Sequence, residues 1–314
     1  MLCPARRHRA ARPCRSPRAR NTTLRYRALI ARWSWIRGFK EKDNCKMQQA
    51  FSLVELSIVL VILGLLTGGI LGGQALIHAA ELRAVPTEYN RWITASQTFR
   101  DKYFALPGDM NNATAFWGTA AACPGNNTDT TTTGVPTCNG DGNGQIANGS
   151  PTIANETYRF WQQLANAGLI EGSYTGVANS ANSTNTLDSR TTPNVPRSKF
   201  DQNVHWNIVI VGSVDFTNTI YFDGNYGNAL RFGTGTNTLV RSFKAEDAWN
   251  IDTKMDDGKP GTGNITSLKN MASATITQAC SEPAYTVASS IAAQSTYVLT
   301  NTASNCSLVM KTGF

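Results

Sequence analysis

Residues 47–77 read MQQAFSLVELSIVLVILGLLTGGILGGQALI, and the 22 residues from Leu56 to Ile77 carry no formal charge. Because a helix rises about 1.5 Å per residue, this run is long enough to cross the hydrocarbon core of a bilayer. Glu55 stands at the edge of the run. A carboxylate at the mouth of a membrane helix is costly unless it is paired, so Glu55 is a candidate functional residue.

The residues that lead into the apolar run resemble the processing signal of type IV pilins and of type II secretion pseudopilins. A small residue, Ala50, is followed by the aromatic Phe51, by Ser-Leu-Val-Glu and then by the run itself. The resemblance implies that prepilin peptidase cuts after Ala50 and methylates the new N-terminus at Phe51. It also implies that Glu55 pairs with the free amine of a neighbouring subunit in a filament. The family usually has Gly where this chain has Ala50.

The same resemblance implies partners and a location. The partners are prepilin peptidase, other copies or homologous pilin subunits, and an assembly platform in the inner membrane. The chain is expected to span the bacterial inner membrane once before assembly, with its head in the periplasm and later in a filament. The alternative interpretation of the segment is an ordinary signal anchor with an incidental Glu.

The charge of the chain is unevenly distributed. Residues 1–50 hold 14 Lys and Arg against 2 Asp and Glu, whereas residues 51–314 hold 15 against 19. A protein that begins at Phe51 is therefore mildly acidic, although the whole chain has a formal net charge of +8. The basic isoelectric point thus gives no reason to expect nucleic acid as a partner.

The leader, residues 1–50, is rich in Arg and Pro and has no hydrophobic period over residues 1–46. Such a composition cannot build a core. We expect translation to start at or somewhat before Met47, with Lys40, Lys42 and Lys46 as a positive cytoplasmic flank if the start lies upstream. An Arg-rich transit peptide fits the composition but does not account for the processing signal.

The helix is predicted to continue beyond the apolar run, from about Ser52 to Tyr103. Residues 51–80 form its membrane and assembly half, and residues 81–105 its amphipathic half. One face of the second half carries apolar and aromatic residues at spacings of three and four: Val85, Tyr89, Trp92, Ile93, Ser96, Phe99 and Tyr103. Pro86 removes one helical hydrogen bond, and we expect it to bend the helix without ending it.

Five glycines interrupt the apolar half: Gly64, Gly68, Gly69, Gly72 and Gly73. Small residues let neighbouring helices approach closely, which suits a helix that packs in a filament. The alternative is that they only reflect the composition of membrane helices.

The head, residues 106–314, begins with the turn signal Leu106-Pro107-Gly108-Asp109 and is rich in Gly, Thr, Asn and Ser. Short helices are predicted over residues 110–117, 155–167 and 244–255. Strands are predicted over residues 204–214, 219–222, 230–232 and 239–243, with a final strand pair formed by residues 296–300 and 307–311. Residues 103–117, YFALPGDMNNATAFW, also resemble a phrase that recurs in one group of pilin-like proteins.

Together these elements predict an α+β fold. An antiparallel sheet packs across the amphipathic half of the long helix and buries Trp92 and Phe99 with the strand apolars in one core. This is the pilin architecture, reached partly from the pattern and partly from the resemblance.

Four cysteines follow the expected cut, in two local pairs. We predict disulfides between Cys123 and Cys138 and between Cys280 and Cys306, each stabilising by roughly 3 kcal/mol in the chain-entropy estimate. The second resembles the disulfide that bounds the C-terminal loop of many pilins. Free thiols and a metal site are the alternatives, and the absence of C-x-x-C spacing and of a nearby His disfavours zinc.

Two acidic loops are candidate calcium sites. Residues 139–146, NGDGNGQI, match the front of a calcium-loop pattern, with Ser150 where the closing Glu is expected. Glu156 at the start of the next predicted helix could supply that ligand. The full set of candidate ligands is Asn139, Asp141, Asn143, Gln145 and Glu156 in the first loop, and Asp256 and Asp257 in the second, residues 252–263. Asx-type turns are the simpler interpretation of both loops.

No motif points to an enzyme. His78 and His205 are the histidines beyond the leader, and neither lies near a nucleophile motif. No phosphate-binding Gly loop, H-E-x-x-H or G-x-S-x-G pattern is present. The resemblance of the N-terminal signal to that of pilins implies a structural subunit of a type IV pilus-like filament. A pseudopilin of a type II secretion system and a membrane-anchored, calcium-dependent binding module that does not polymerise are the alternatives.

Overall fold

A computed structural model describes residues 52–120, 123, 135–147, 155–177, 193–214, 218, 220–234, 242–269, 280–282 and 291–314. The chain divides into two units, Met1–Ser57 and Ile58–Phe314. The leader, Ala50 and Phe51 lie outside the described residues, as does Ser150.

The helices and strands follow each other in the order α1, α2, α3, β1 to β4, α4, β5, β6, α5, β7 and β8. The helices are α1 (Leu53–Tyr103), α2 (Thr114–Trp117), α3 (Glu156–Asn166), α4 (Ala245–Met255) and α5 (Ile291–Gln294). The strands are β1 (His205–Ile210), β2 (Ser213–Val214), β3 (Gly224–Asn225), β4 (Asn228–Gly233), β5 (Ile265–Ser267), β6 (Ser281–Glu282), β7 (Thr296–Tyr297) and β8 (Leu308–Lys311). The α+β class predicted from the sequence is confirmed.

The long helix α1 has 51 residues and continues through Pro86, as predicted. From Leu82 onward it buries one face, formed by Leu82, Val85, Glu88, Trp92, Ala95, Ser96 and Phe99. Their spacing of mostly three and four residues is the helical period, so a single stripe faces the head. Tyr89 on the same side donates a hydrogen bond from its hydroxyl to the carbonyl of Lys311, 2.7 Å away, which joins α1 to β8.

The main sheet has four antiparallel strands in the order β1, β4, β8, β5. Trp206 in β1 lies opposite Phe232 in β4, and Phe232 lies opposite Leu308 in β8. Alternate residues of a strand face opposite sides of a sheet. Leu308 and Met310 accordingly join the main core, whereas Val309 joins a second cluster.

The main core lies between α1, α3 and one face of the main sheet. Trp92 of α1 meets Trp161 of α3 edge to face, with ring centroids 5.4 Å apart. Trp206 and Phe232 pack with centroids 4.4 Å apart on the sheet. Trp92 and Phe99 therefore share one core with the strand apolars, as predicted from the sequence.

The prediction of one strand over residues 204–214 is wrong. Strand β1 ends at Ile210, and the chain turns at Gly212, whose φ of +69° is a backbone conformation that favours glycine. Residues Ser213 and Val214 then form β2, which pairs with β3 instead of with the main sheet. The turn lets Val211 and Val214 pack against the second cluster, on Tyr221, Tyr226 and Val309.

The prediction of a strand over residues 219–222 is also wrong for its described part, residues 220–222. The side-chain oxygen of Asn218 accepts hydrogen bonds from the backbone N–H groups of Ile220 and Tyr221, both at 2.8 Å. These donors are therefore used by a local turn and not by a strand partner. In the strand predicted over residues 239–243, Leu239, Val240 and Arg241 lie outside the described residues, and Phe243 forms an isolated bridge with Cys306.

The two C-terminal strands do not pair with each other, contrary to the prediction. Strand β7 pairs with β6, whereas β8 lies between β4 and β5. The apolar residues of β8, from Leu308 to Met310, are fully buried, as a strand with neighbours on both edges and cores on both faces requires. The helix predicted over residues 110–117 is shorter than expected and begins at Thr114, whereas α3 and α4 agree with the prediction within a residue.

A carboxylate inside the core ties α1 to the head. Glu88 is 7% exposed and accepts three hydrogen bonds: from the Ser198 hydroxyl at 2.7 Å, the Lys199 backbone N–H at 2.8 Å and the Trp206 indole N–H at 2.7 Å. Three donors from the loop at residues 193–200 and from β1 therefore converge on one helical residue. A buried charge is tolerated when it is hydrogen-bonded in this way.

We expect Glu88→Ala to lower the free energy of unfolding by about 2–4 kcal/mol, because it leaves buried donors without an acceptor. In a head of this size the melting temperature of the full chain in detergent should fall by about 5–15 °C. Glu246→Ala removes an exposed carboxylate of α4 and is the control, with an expected loss below about 1 kcal/mol. Equal melting temperatures of the two variants would show that the Glu88 hydrogen bonds do not hold the head to α1.

Candidate processing and assembly site

The start of α1 forms a reciprocal hydrogen-bonded cap. The Ser52 hydroxyl accepts a hydrogen bond from the Val54 backbone N–H at 3.3 Å, and the Glu55 carboxylate accepts one from the Ser52 backbone N–H at 2.9 Å. This is a capping box, in which Ser and a Glu three residues later satisfy N–H groups that a helix start leaves unpaired. Both side chains are exposed. Glu55 is thus held at the helix start with its carboxylate open to solvent, next to the expected cut after Ala50.

The apolar half of α1 has no partner within the described part of the chain. Its large apolar side chains are half or more exposed from Leu53 to Ile77, for example 86% at Leu53 and 67% at Leu71. Among the described residues, α1 is the one helix that is long and apolar enough to span a membrane. Such a surface is unstable in water, so these residues require lipid or other helices around them.

The glycines of this half are not required by packing inside the chain. A Cβ added at Gly64, Gly68, Gly69, Gly72 or Gly73 would meet no atom within 4 Å. Their small size therefore has no steric cause within the described residues. It remains available for close contact with another helix, as the sequence suggests.

The first acidic loop, residues 139–146, folds around Asp109, a residue outside the predicted ligand set. Its carboxylate accepts hydrogen bonds from the backbone N–H groups of Gly142 at 2.7 Å, Asn143 at 3.0 Å and Gly144 at 2.8 Å. The turn before it presses against α3, because a Cβ on Gly108 would lie 2.5 Å from the carbonyl oxygen of Glu156. The Pro-Gly-Asp motif predicts a turn, and in the structure the carboxylate of the same Asp also accepts hydrogen bonds from three N–H groups of the loop.

Glu156 closes this loop from the start of α3. It is fully buried and accepts hydrogen bonds from the backbone N–H groups of Asp141 at 3.1 Å and Ala147 at 2.9 Å. One carboxylate oxygen each from Asp109, Asp141 and Glu156 lies within 4.8 Å of the others. Ligands on one calcium ion at about 2.3–2.6 Å lie no more than about 5 Å apart, so these three oxygens fit calcium in chemistry and spacing.

The remaining predicted ligands of the first loop make local contacts. Asp141 accepts a hydrogen bond from the Asn143 N–H at 3.1 Å, and Asn143 accepts one from the Gln145 N–H at 2.7 Å. These are two successive Asx turns, so that interpretation is confirmed. Asn139 accepts a hydrogen bond from the Thr114 N–H at 2.8 Å, and Gln145 is exposed. Calcium binding at this loop stays a prediction.

Two carboxylates of this cluster, Glu156 and Asp109, have raised pKa values, chiefly because they are buried. Burial, together with the charges of Asp109 and Asp141, raises the pKa of Glu156 to about 7, against the opposing effect of its two N–H donors. Burial also raises the pKa of Asp109, although three backbone N–H donors lower it. Near neutral pH the cluster therefore favours an added proton or a cation.

The second acidic loop is also built around an acid outside the predicted ligand set. Asp252 in α4 is buried and accepts hydrogen bonds from the Tyr297 hydroxyl at 2.8 Å and the Gly258 N–H at 3.2 Å. It lies with the predicted Asp256 and Asp257 in a group whose carboxylate oxygens are within 4.8 Å of one another. Burial raises the pKa of Asp252 to about 7. Asp257 accepts a hydrogen bond from the Lys259 N–H at 2.9 Å, which is again an Asx turn.

Both predicted disulfides are present, Cys123–Cys138 and Cys280–Cys306, with Cα atoms 5.5 and 5.1 Å apart. The second lies where β6 and β7 pair, because the Val298 N–H donates to the Cys280 carbonyl at 3.0 Å. It therefore fastens the C-terminal region to the segment at residues 280–282.

The histidines have structural neighbours. His78 lies on α1 with its Nε2 atom 2.9 Å from a carboxylate oxygen of Asp247, near the start of α4. His205 begins β1 opposite Gly233. His78 therefore joins α1 to α4, and His205 lies in the main sheet.

Comparison with known families identifies the N-terminal signal. Residues 45–71 match the family model described as the prokaryotic N-terminal methylation motif. This segment runs directly into the apolar half of α1, and together they are consistent with a type IV pilin-like signal. The chain therefore has the N-terminal features of a type IV pilin-like or pseudopilin-like protein, a structural and not an enzymatic family. No curated protein and no solved structure matches the chain.

The raised pKa of Glu156 predicts a pH dependence of stability. In the folded state the uncharged form is favoured, so the contribution is fully present below the unfolded-state pKa of about 4.5 and is lost as pH rises through about 7. Glu156→Gln cannot ionise, so we expect the melting temperature of this variant to fall less between pH 5 and pH 8 than that of the parent chain. The corresponding difference in the free energy of unfolding is on the order of 3 kcal/mol at most. Asp101→Asn, at an exposed site late in α1, is the control and should leave the slope unchanged.

If calcium binds at the first loop, added Ca²⁺ should offset the loss of stability that occurs as the pH rises. The ion binds the charged carboxylates, so Ca²⁺ should raise the melting temperature above pH 7. Asp141→Asn should remove the increase, whereas Asp257→Asn in the second loop should keep it. Binding at the second loop would reverse the roles of the two variants. Identical melting temperatures with Ca²⁺ and with a chelator would exclude calcium at both loops.

Proposed function

We propose that this protein is a structural subunit of a type IV pilus-like filament. The precursor inserts into the inner membrane, prepilin peptidase cuts after Ala50, and the new N-terminus at Phe51 is methylated. The subunit then assembles through the N-terminal helix, with Glu55 paired to the amine of a neighbouring Phe51. The head, residues 106–314, determines the surface of the filament.

One observation carries this proposal. The methylation motif leads directly into a helix whose apolar side chains are exposed from Leu53 to Ile77. A helix that only anchors a protein needs lipid contact, but it does not need an ionisable residue at its start. Glu55 is exposed there, and its carboxylate accepts one hydrogen bond, from the backbone N–H of Ser52. Its second carboxylate oxygen makes no hydrogen bond within the described residues, which supports a role toward another subunit.

The capping box separates two contributions of Glu55. One is local, because its carboxylate accepts the Ser52 N–H and stabilises the helix start by roughly 1 kcal/mol. The other is the negative charge that is proposed to attract a neighbouring amine. Gln at the same position keeps the local hydrogen bond without the charge, since the capping box accepts Glu or Gln.

Two alternative functions remain as outcomes of the experiments. A pseudopilin of a type II secretion system would share processing and assembly but would serve protein export in place of a surface fibre. A membrane-anchored, calcium-dependent binding module is favoured by the two carboxylate clusters in the head. Such a module would retain its binding activity without assembly.

Processing is tested by the N-terminal sequence and mass of the protein in cells with and without prepilin peptidase. We expect a mature chain that begins at methylated Phe51 and that is absent when the peptidase is deleted. Ala50→Gly restores the usual family residue and should be cut at least as fast, whereas the bulky Ala50→Leu should accumulate as precursor. A chain that keeps the residues before Phe51 in both strains would favour an uncut anchor.

Assembly is tested by comparing Glu55→Gln with Glu55→Ala. If the charge pairs with a neighbouring amine, both variants should be processed but lost from sheared filaments by about tenfold or more, since a desolvated ion pair contributes more than about 1.4 kcal/mol. If the capping box alone matters, Glu55→Gln should assemble like the parent chain. Surface fibres that disappear on deletion of the gene indicate a pilus, and loss of exported proteins without fibres indicates a secretion system.

A further inference from the structure

A groove with several charged side chains lies beside α1 shortly after the apolar run ends. It has a volume of about 550 Å³ and begins at Ala80, three residues beyond Ile77. One wall comes from α1 between Ala80 and Trp92, and the other comes from the loop at residues 196–199 with Glu171 and Tyr174. A volume of this size accommodates a small ligand or the head group of a lipid.

Four basic side chains line this groove: Arg83, Arg91, Arg197 and Lys199. Arg83, Arg197 and Lys199 are exposed and make no ion pair with any described residue, whereas Arg91 lies 3.7 Å from Glu171. The groove also contains the carboxylate of Glu88, but that carboxylate already accepts three hydrogen bonds. The excess of positive charge is therefore concentrated on groups that have no anionic partner in the described chain.

The inner wall of the groove is aromatic. Trp92 is 5% exposed, and the Arg91 guanidinium lies over its ring at 5.2 Å from the centroid. This contact holds Arg91 in place, since a guanidinium stacks favourably on an indole. The Trp92 indole N–H has no hydrogen-bond acceptor among the described residues. A buried donor without an acceptor is uncommon, which makes this wall unusual for a purely structural surface.

Arg83 is the groove cation of α1 that is nearest to the apolar run, and the loop with Arg197 and Lys199 runs beside this part of the helix. The loop that carries Arg197 and Lys199 also lines a neighbouring cavity with Glu81, and its Phe200 ring lies 6.4 Å from His78. At about 1.5 Å per residue, Arg83 lies about 9 Å beyond Ile77 along the helix. The head-group region extends roughly 5–8 Å on each side of the hydrocarbon core. Long Arg and Lys side chains at this level reach that region.

We propose that this groove binds the phosphate of an anionic phospholipid in the outer leaflet of the membrane that holds the precursor. The inference rests on the membrane insertion given under the proposed function. Arg83, Arg197 and Lys199 supply the N–H donors and charge that a phosphate diester requires, and guanidinium groups bind its oxygens in pairs. The lipid would hold the head against the membrane until the subunit leaves for the filament.

Position distinguishes this ligand from an acidic face of a second subunit. A protein partner could meet basic residues anywhere on the head, whereas a lipid phosphate is available only at the depth where the apolar run ends. Arg83 lies close to that depth, and the loop with Arg197 and Lys199 runs alongside α1 from the level of His78 to that of Glu88. Free phosphate shares the chemistry of the lipid, but it has no reason to prefer this level of the helix.

The test uses the uncut full chain, so it does not depend on processing by prepilin peptidase. The protein is incorporated into bilayers of phosphatidylcholine with and without phosphatidylglycerol, and native mass spectrometry measures the lipids that stay bound. We expect phosphatidylglycerol to be enriched over phosphatidylcholine. Arg83→Gln with Arg197→Gln should reduce the enrichment by about fivefold per charge removed. The single variant Lys199→Gln keeps the backbone N–H that binds Glu88, and it should reduce the enrichment of phosphatidylglycerol by about fivefold.

The matched control is Arg100→Gln with Lys102→Gln, which removes two exposed charges from the far end of α1. This variant should keep the enrichment, and all variants should keep the parental melting temperature. An equal loss in both double variants would reveal general charge attraction and overturn the proposal, as would an unchanged enrichment in the groove variant. Displacement of the lipid by a small excess of inorganic phosphate would assign the groove to free phosphate. A groove variant that keeps the lipid but fails to assemble would assign it to a second subunit.

Discussion

The 3.6-residue period of α1 is the constraint on which the rest of the head depends. From Leu82 to Phe99 the helix presents one buried stripe, and α3 and the main sheet pack on that stripe. From Leu56 to Ile77 the helix carries large apolar side chains on all sides, and they are exposed. A stripe can be covered by a protein head, but an apolar surface on all sides must be covered by lipid or by other helices. The place where the pattern changes therefore determines where the head can begin.

Acidic side chains organise the loops of the head. Glu88, Asp109, Glu156 and Asp252 each accept hydrogen bonds from backbone N–H groups of segments that lack strand partners. Loop N–H groups that are removed from water need an acceptor, and a carboxylate can serve two or three at once. This arrangement explains why a chain with short strands still buries a large core. It also buries carboxylates beside other acids, and burial above all raises the pKa of Glu156 and Asp252 to about 7.

In the proposed function, the N-terminal signal and the head act at different steps: the signal in processing and assembly, and the head in the membrane-bound precursor. Ser52 and Glu55, which belong to the first unit of the chain, form the cap at the start of α1. The basic groove near Arg83 belongs to the second unit and begins at Ala80, three residues after the apolar run ends. In this view the groove orients the precursor in the bilayer, and Glu55 acts when the subunit leaves it.

The sequence by itself determined the features that depend on neighbours close in the chain. The length of α1, its buried face, α3, α4 and both disulfides follow from periodic spacing, turn residues and nearby cysteine pairs. Tertiary structure decided the strand partners, which join β8 to β4 and β5 across about 80 and 45 residues. It also decided that Asp109 and Asp252 lie at the centres of the acidic loops, and that Glu88 is buried. These outcomes depend on which N–H groups, distant in the sequence, donate hydrogen bonds to each carboxylate. A local sequence pattern does not contain that information.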